Sequence, residues 1–551
     1  GALTSTGLAA VTAQSAQSLV TVAVGGAGAG GFALGGSVAY STLAGQTAVY
    51  ATPLAAKAWT LNALTFAASD SSAITSLAGA VGIGLDYGGV GAAVGLVTNR
   101  RDVTARMAGP LTLTASGNVT ISAGSDLPAT TPTSNDRQAA LAGLGDDTFS
   151  QAVDGAGNAL TSKSAAASAQ IVNIAAAIGG SKMVAVGFNL ALSKIDRDVT
   201  AEVGSGVTVN LTSSSATLVD ADAGLSAGLA VVARDATGIV TVSVGAAAAI
   251  GAGSQVAIAI GGAIALADIS SSVVANIASG AVVTLANESD LSVRANNTSK
   301  ITSIAIGAAA AIGGTQGAGA VGFSVGVNKI SAGTGALLQG SVSATGGSTK
   351  NAILVQAVSS SQITSVSLAA AVAATTGKFG FAGGGAGSGN TILGATYALV
   401  SGATISGAGN LTVSALSTAK INAVVVGLAV AVAAGASGGA AALGVAVAVN
   451  ETGGFANALS VLPENDGLAV VARVSGSSVV LNGALTVLAK SQQSIRADVV
   501  AASVAVAATG GTGISIAGAG AIAVNRGAAQ VVAAVTGSAA AHKVQAQGIA
   551  V

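Results

Sequence analysis

Three stretches of the chain repeat one pattern: ITSIAIGAAAAIGG at 301–314, IVTVSVGAAAAIGA at 239–252 and ITSVSLAAAVAATTG at 363–377. In each stretch β-branched residues alternate with small residues. Alternation with a period of two, carried by Val, Ile and Thr, is typical of β-strands. Helix is the alternative because alanine is the best helix former, but each glycine inside a helix costs about 1 kcal/mol relative to alanine. The three stretches therefore predict strands.

Equivalent starting residues recur along the whole chain and define a repeat of about 60 residues. The aligned starts are Leu19, Ile74, Ile171, Ile239, Ile301, Ile363, Ile421 and Ile495. One such unit cannot close its own core, so neighbouring units must stack. The pattern predicts an all-β fold, a β-solenoid (parallel β-helix-like) rod of about eight imperfect repeats with Gly/Ala-rich strands. With strands stacked at ~4.8 Å, the rod is roughly 130 Å long for coils of about 20 residues, or roughly 40 Å for one coil per unit.

Alternate residues within a strand differ strongly in size. In AGAVGFSVGVN at 318–328, Val and Phe fall on one side and Gly and Ser on the other. The large side is expected to fill a core, with core aliphatics such as Ile301, Ile304, Val325 and Val327. The flat side would allow a second sheet to approach more closely than the usual ~10 Å, either within one molecule or between molecules.

An asparagine followed by a charged residue recurs near the end of the second alternating segment. The four positions are Asn99, Asn328, Asn450 and Asn525. Asparagine tolerates left-handed backbone and hydrogen-bonds to its own turn. These residues are therefore predicted to end strands, and a row of ligand-binding asparagines is the alternative.

One polar region interrupts the repeat and divides the array. The predicted organisation is solenoid repeats 1–2 at residues 1–124, a polar insertion loop with a possible short helix at 125–163, and repeats 3–8 at 164–551. Protruding loops often carry specific contacts. The candidate contact residues of the insertion are Asp136, Arg137, Asp146 and Asp147. A solvated insertion without a partner is the alternative.

Composition excludes several functional classes. Lys and Arg number 21 and Asp and Glu number 21 in 551 residues, so the net charge is zero and no basic footprint for nucleic acid exists. Without Cys there are no disulfides, thiolate metal sites or Cys nucleophiles. His542 has no Gly-x-Ser-x-Gly nucleophile near it, and the acidic pairs lack the Asp-rich nonapeptide repeat of calcium-binding rolls. We predict no enzyme activity and no catalytic, cofactor-binding or metal-binding residues.

The motifs GPLTLTASGNVTISAGS (109–125), GNLTVSAL (409–416) and GAVGFSVGVNKI (319–330) resemble the repeat regions of large bacterial filamentous surface adhesins. These adhesins are of the filamentous haemagglutinin and leukotoxin-type kinds, and the resemblance covers nearly the whole chain except the insertion. It implies a β-solenoid rod, an extracellular or cell-surface location, and a role in attachment or matrix building. Self-association, head to tail or lateral, is the expected partnership, with other cell surfaces or matrix as further partners.

Two other functions remain open at this point. Uncharged windows such as 239–267 are long enough to span a bilayer, and the mean hydropathy is +0.74. These windows lack Trp/Tyr belts and are broken by small polar residues, which disfavours a membrane-embedded protein. A binding module that acts through the 125–163 insertion is the other alternative.

Overall fold

The computed structural model describes residues 2–125, 169–212, 228–286, 288–345, 350–436, 438–453, 468–508, 510–537 and 542–551. These residues form strands and turns, with no helix among them. The predicted all-β class is therefore confirmed. The strands are β1 (Leu3–Ser15), β2 (Ser18–Ala29), β3 (Phe32–Ala51), β4 (Lys57–Asp70), β5 (Ala73–Gly84), β6 (Gly88–Met107), β7 (Leu111–Ala115), β8 (Val119–Ser125), β9 (Ile171–Ser181), β10 (Val184–Val203), β11 (Val207–Leu211), β12 (Gly228–Ile250), β13 (Val256–Ile277), β14 (Val282–Leu285), β15 (Asp290–Gly313), β16 (Gly317–Leu338), β17 (Ser341–Ala344), β18 (Ile353–Thr375), β19 (Phe379–Ser401), β20 (Thr404–Ala408), β21 (Leu411–Ala433), β22 (Gly438–Thr452), β23 (Leu468–Ser475), β24 (Ser478–Leu481), β25 (Ala484–Ala507), β26 (Gly513–Gly527), β27 (Ala529–Thr536), β28 (Val544–Gln545) and β29 (Gly548–Ala550).

Each 60-residue unit is one flattened coil. In a typical coil the short strand β14 leads into the long strand β15, and a turn then reverses the chain into the long strand β16. Strands of successive coils pair in parallel and in register, as β15 does with β18 and β16 with β19. The first long strands and most of the short strands form one sheet, and the second long strands form the other together with β23 and β27. We call these the first and the second sheet.

The repeat alignment is confirmed residue by residue. All eight predicted starts lie in one column of the first sheet, each paired with its counterpart in the next coil. Ile74 and Ile171 are paired although 97 residues separate them in sequence, because the extra residues fall between β8 and β9. Most of the predicted insertion, including Asp136, Arg137, Asp146 and Asp147, lies outside the described residues.

The coil size follows directly from this register. Long strands of 22–24 residues, such as β15 and β16, extend about 75 Å at ~3.3 Å per residue. Eight coils stacked at ~4.8 Å rise only about 40 Å along the axis. The sequence left two coil sizes open, and the structure selects one coil per unit.

The interior of each coil has two parts that differ in side-chain size. Where Leu291–Ile301 of β15 faces Ile330–Leu338 of β16, Ile, Leu and Val fill a thick aliphatic core. Beyond it, toward the turn at 314–316, the facing residues are Ala, Gly and Ser. We call these parts the thick half and the thin half. Burial of the aliphatic core is the main stabilising contribution, at about 25 cal/mol per Å² of apolar surface.

The thin half holds the two sheets almost in backbone contact. A column of seven glycines runs along the second sheet: Gly35, Gly91, Gly187, Gly261, Gly322, Gly384 and Gly444. A Cβ atom built on any of them would collide with a backbone carbonyl oxygen of the first sheet. The flat Gly/Ser face therefore packs against the other sheet of the same molecule. The sequence had left open whether this face packs within one molecule or between molecules.

The prediction that the large residues of β16 fill the core is wrong. Val325 and Val327 point outward and are 37% and 46% exposed, whereas Gly322, Ser324 and Gly326 point inward. Strand alternation fixes which residues share a face but not which face is inside. Ile301 is buried in the thick half as predicted, and Ile304 is buried on the outward side of its strand.

Candidate functional site

A cluster of buried charges lies between the sheets of the first four coils. The Asp70 Oδ2 atom is 3.2 Å from the Arg101 Nε atom and 2.8 Å from the Arg197 Nη2 atom. Asp235 Oδ1 is 4.0 Å from Arg197 Nη1, and all four side chains are at most 5% exposed. Buried charges are tolerated only when they are paired and hydrogen-bonded.

Neutral polar groups complete this cluster. Arg101 donates hydrogen bonds to Gln17 Oε1 at 2.8 Å and to Ser15 Oγ at 2.7 Å. Ser72 donates to Asp70 through both its backbone N–H and its hydroxyl. In later coils Asn297 and Ser271 continue the same columns and hydrogen-bond to each other at 2.9 Å. The cluster is structural in character, because its charged side chains are almost fully buried and, in the part of the chain that the structure describes, lie against one another and these neutral polar groups.

Four asparagines form an amide ladder along the second sheet. Asn328, Asn390, Asn450 and Asn525 occupy one column, and each Nδ2 donates to the Oδ1 of the next residue at 2.7–2.8 Å. Asn328 lies inside β16 and does not end a strand, while Asn450 and Asn525 lie two residues before the ends of β22 and β26. The recurrence of asparagine reflects hydrogen bonding between coils.

Asn99 does not belong to this ladder. It pairs with Leu43 and Ile195, two residues further along the strand than the ladder column, and lies well inside β6. Its amide is fully buried, and neither of its polar side-chain atoms has a hydrogen-bond partner among the described residues. The predicted equivalence of Asn99 with the other three asparagines, and its strand-end position, are therefore wrong.

Substitution of Asn390 by alanine is expected to lower the free energy of unfolding by about 2 kcal/mol. It leaves the Asn328 Nδ2 donor and the Asn450 Oδ1 acceptor without their ladder bonds, and a buried unpaired polar group costs about 1–3 kcal/mol. Asn525→Ala at the ladder end is the matched control, because it removes only one ladder bond. Chemical denaturation of both variants measures the difference, and equal losses would contradict the ladder interpretation.

Three aspartates crowd the outer face of the second sheet. Asp198 donates its backbone N–H to Asp102 Oδ1 at 3.2 Å, and Asp196 lies two residues away on the same strand face. Partial burial raises the pKa of Asp198 above its usual value, and the Asp102 and Asp196 carboxylates raise this pKa further. Asp196 itself is paired with Arg100 at 3.2 Å. No group of three or more His, Cys, Asp or Glu in the described part of the chain is arranged to hold a metal ion.

We expect Asp198 to destabilise the fold more as the pH rises. Its pKa is higher in the folded than in the unfolded chain. Its contribution to the free energy of unfolding is therefore most favourable below the unfolded pKa of 3.8, and it is lost as the pH rises through the folded pKa. Asp198→Asn should therefore gain stability relative to the wild type between pH 4 and pH 7, as measured by denaturation at both pH values. The gain should shrink in an Asp102→Asn background, and an identical pH dependence in wild type and Asp198→Asn would refute the assignment.

The outer surfaces of the thin half are apolar on both sheets. On the second sheet five adjacent columns pass through Ile258, Ile260, Gly262, Ile264 and Leu266 of β13. We call these five columns, from β3 to β26, the apolar outer face. On the first sheet Ile250, Ile312, Val372 and Val504 are among the exposed outward residues. No described helix is long and apolar enough to cross a membrane.

Comparison with protein-family models, with curated proteins and with solved structures finds no match to this chain. The features of the chain that bear on its function are therefore the coil stack, its buried polar columns and its outer faces. Sequence reasoning missed the Asp70–Arg101–Arg197 cluster and the apolar outer face. One signal in the sequence was available for both, namely the alternation of inward and outward residues along a strand. Arg101 and Arg197 are each two residues from a buried valine, Val103 and Val199, and therefore lie on the same inward side.

Proposed function

We propose that the chain is a structural, non-enzymatic segment of a bacterial cell-surface or extracellular filament or adhesin. The observation that carries this proposal is the uninterrupted stack of eight parallel coils in register. Such a stack resists bending and unfolding because every interior coil is hydrogen-bonded on both sides. The resemblance of the repeats to filamentous adhesins supports the same function.

Axial association is part of this proposal. The long strand β3 pairs only with β6, and β26 pairs only with β22, so one edge of each outermost strand has no paired neighbour among the described residues. Unpaired strand edges are templates for adding another strand. A further coil, from the same or another chain, would extend the stack with the same parallel pairing. Other cell surfaces or matrix are the proposed targets of the assembled rod.

Electron microscopy of the purified chain tests the structural role. We expect rods whose lengths are multiples of about 40 Å, the rise of eight coils at ~4.8 Å each. Antibody labelling of intact producing cells tests the location, and labelling only after lysis would contradict a surface role. Single stacks at every protein concentration would contradict head-to-tail association by this chain.

A further inference from the structure

The apolar outer face is continuous over eight strands. Its five columns contain Val, Ile, Leu, Phe, Tyr, Ala and Gly, and no charged residue. Large side chains point away from the sheet on seven of the eight strands, including Leu34 at 64%, Val327 at 46% and Leu443 at 50% exposed. The eighth strand, β19, contributes Phe381 and the four glycines Gly383, Gly385, Gly387 and Gly389. The arrangement reverses the usual order, because the small residues are inside and the large ones outside.

Aromatic rings cover two glycines of this face. The Phe323 ring lies over Gly262 of the preceding coil, where a Cβ atom would collide with the ring, and Phe32 covers Gly88 in the same way. The rings of Phe188 and Phe323 have centroids 6.2 Å apart and an interplanar angle of 38°. These two glycines are covered by rings, whereas the glycines of β19 are not, since a Cβ atom on Gly385 or Gly389 would meet no atom within 4 Å. The face is therefore a broad apolar surface with a strip of glycine along β19, and a broad partner covers more of it than a small ligand does.

The size of the face is that of a stable protein interface. Five columns span about 26 Å along the strands, and eight strands span about 34 Å, which gives an area of about 900 Å². A standard interface buries about 800 Å² on each partner. Monomeric soluble proteins rarely expose a contiguous apolar patch larger than a few hundred Å².

The row of residues that borders the face carries charges of both signs, so a second copy does not meet a surface of one charge. Its charged residues alternate in sign along the axis and are, in order, Lys194, Asp268, Lys329, Glu451 and Arg526, with Thr391 between Lys329 and Glu451. A bilayer is a poorer occupant, because unpaired strand edges such as that of β3 do not occur in the hydrocarbon region. A second copy presents the same broad apolar surface and keeps those edges in water.

We propose that two copies of this chain pack laterally through their apolar outer faces. The proposal deepens the structural role proposed above and rests on it: axial stacking would lengthen the rod, and this face would join rods side by side. Sheet-on-sheet packing of this kind buries the large aliphatic side chains that the Gly/Ala interior leaves outside.

Cysteine footprinting of the full chain tests the proposal, because the chain contains no cysteine of its own. We expect the rate of maleimide labelling of Val325→Cys, at the centre of the face, to fall at least tenfold as protein concentration rises. Val282→Cys is the matched control, since Val282 is 40% exposed on β14 in the thick half, compared with 37% for Val325. Its labelling rate should not change.

A second variant links protection to association. Replacement of Val321, Val325 and Val327 by threonine keeps the shape and strand preference but exchanges three exposed methyl groups for hydroxyls. We expect the dimer measured by sedimentation velocity to weaken at least tenfold, whereas Val282→Thr leaves it unchanged. Concentration-independent labelling of Val325→Cys overturns the proposal, and so does protection by phosphatidylcholine vesicles alone. Rods that form and appear on cells while Val325→Cys stays unprotected would leave the structural role standing without this interface.

Discussion

Replacement of Asp70 by asparagine is expected to lower the free energy of unfolding by about 3–5 kcal/mol, because it removes the carboxylate shared by two buried arginines. Asp70 Oδ2 contacts Arg101 at 3.2 Å and Arg197 at 2.8 Å, and the Arg197 side chain has no exposure to solvent. The substitution removes the negative charge that lies closest to both guanidinium groups, and Asp235 is 4.0 Å from Arg197. Guanidinium denaturation followed by circular dichroism measures the loss.

Asp86→Asn is the matched control for this prediction. Asp86 is also ion-paired, with Lys182 at 2.9 Å, but both side chains are more than half exposed. Exposed pairs contribute about 0–1 kcal/mol, since water screens them. The size of the Asp70 effect depends on burial, so equal losses in the two variants would show that the buried cluster contributes no more than a surface pair.

The repeat architecture could be predicted because identical constraints recur in each coil. A column such as Ile239, Ile301 and Ile363 must keep its side chain in one environment, so alignment of the sequence with itself located the structural register. The insertion between β8 and β9 could be recognised for the same reason, as a break in that period. In this chain periodicity conveys which residues are equivalent.

Periodicity does not convey which side of a strand faces inward. The general expectation that large residues are buried placed Val325 and Val327 in the core, but the thin half buries Gly and Ala instead. The inward side of a strand can be identified from its continuation into the thick half. Ile330 of β16 is inward and buried there, and Gly322, Ser324 and Gly326 lie an even number of residues away from it. These three residues therefore point inward as well. Following the alternation of inward and outward residues along the complete strand predicts both the inner glycine column and the apolar outer face.

Substitution of Gly384 by valine is expected to lower the free energy of unfolding by about 3 kcal/mol or more, at the upper end of the range for overpacked cores. A Cβ atom on Gly384 would collide with the backbone carbonyl oxygen of Leu428 in the facing sheet, and a backbone atom cannot move aside as a side-chain rotamer can. Both sheets would have to separate over several coils, because Gly322 and Gly444 on either side are held equally close.

The adjacent Gly385 provides the control for Gly384→Val. It lies on the same strand but points outward, and a Cβ atom on it would meet no atom within 4 Å. Gly385→Val should therefore change stability by no more than about 0.5 kcal/mol, as surface substitutions do. Denaturation of the two variants under the same conditions compares them directly. If both variants unfold like the wild type, the close approach of the two sheets does not stabilise the thin half. A loss of stability confined to Gly384→Val shows that the coils can stack only with glycine in that column.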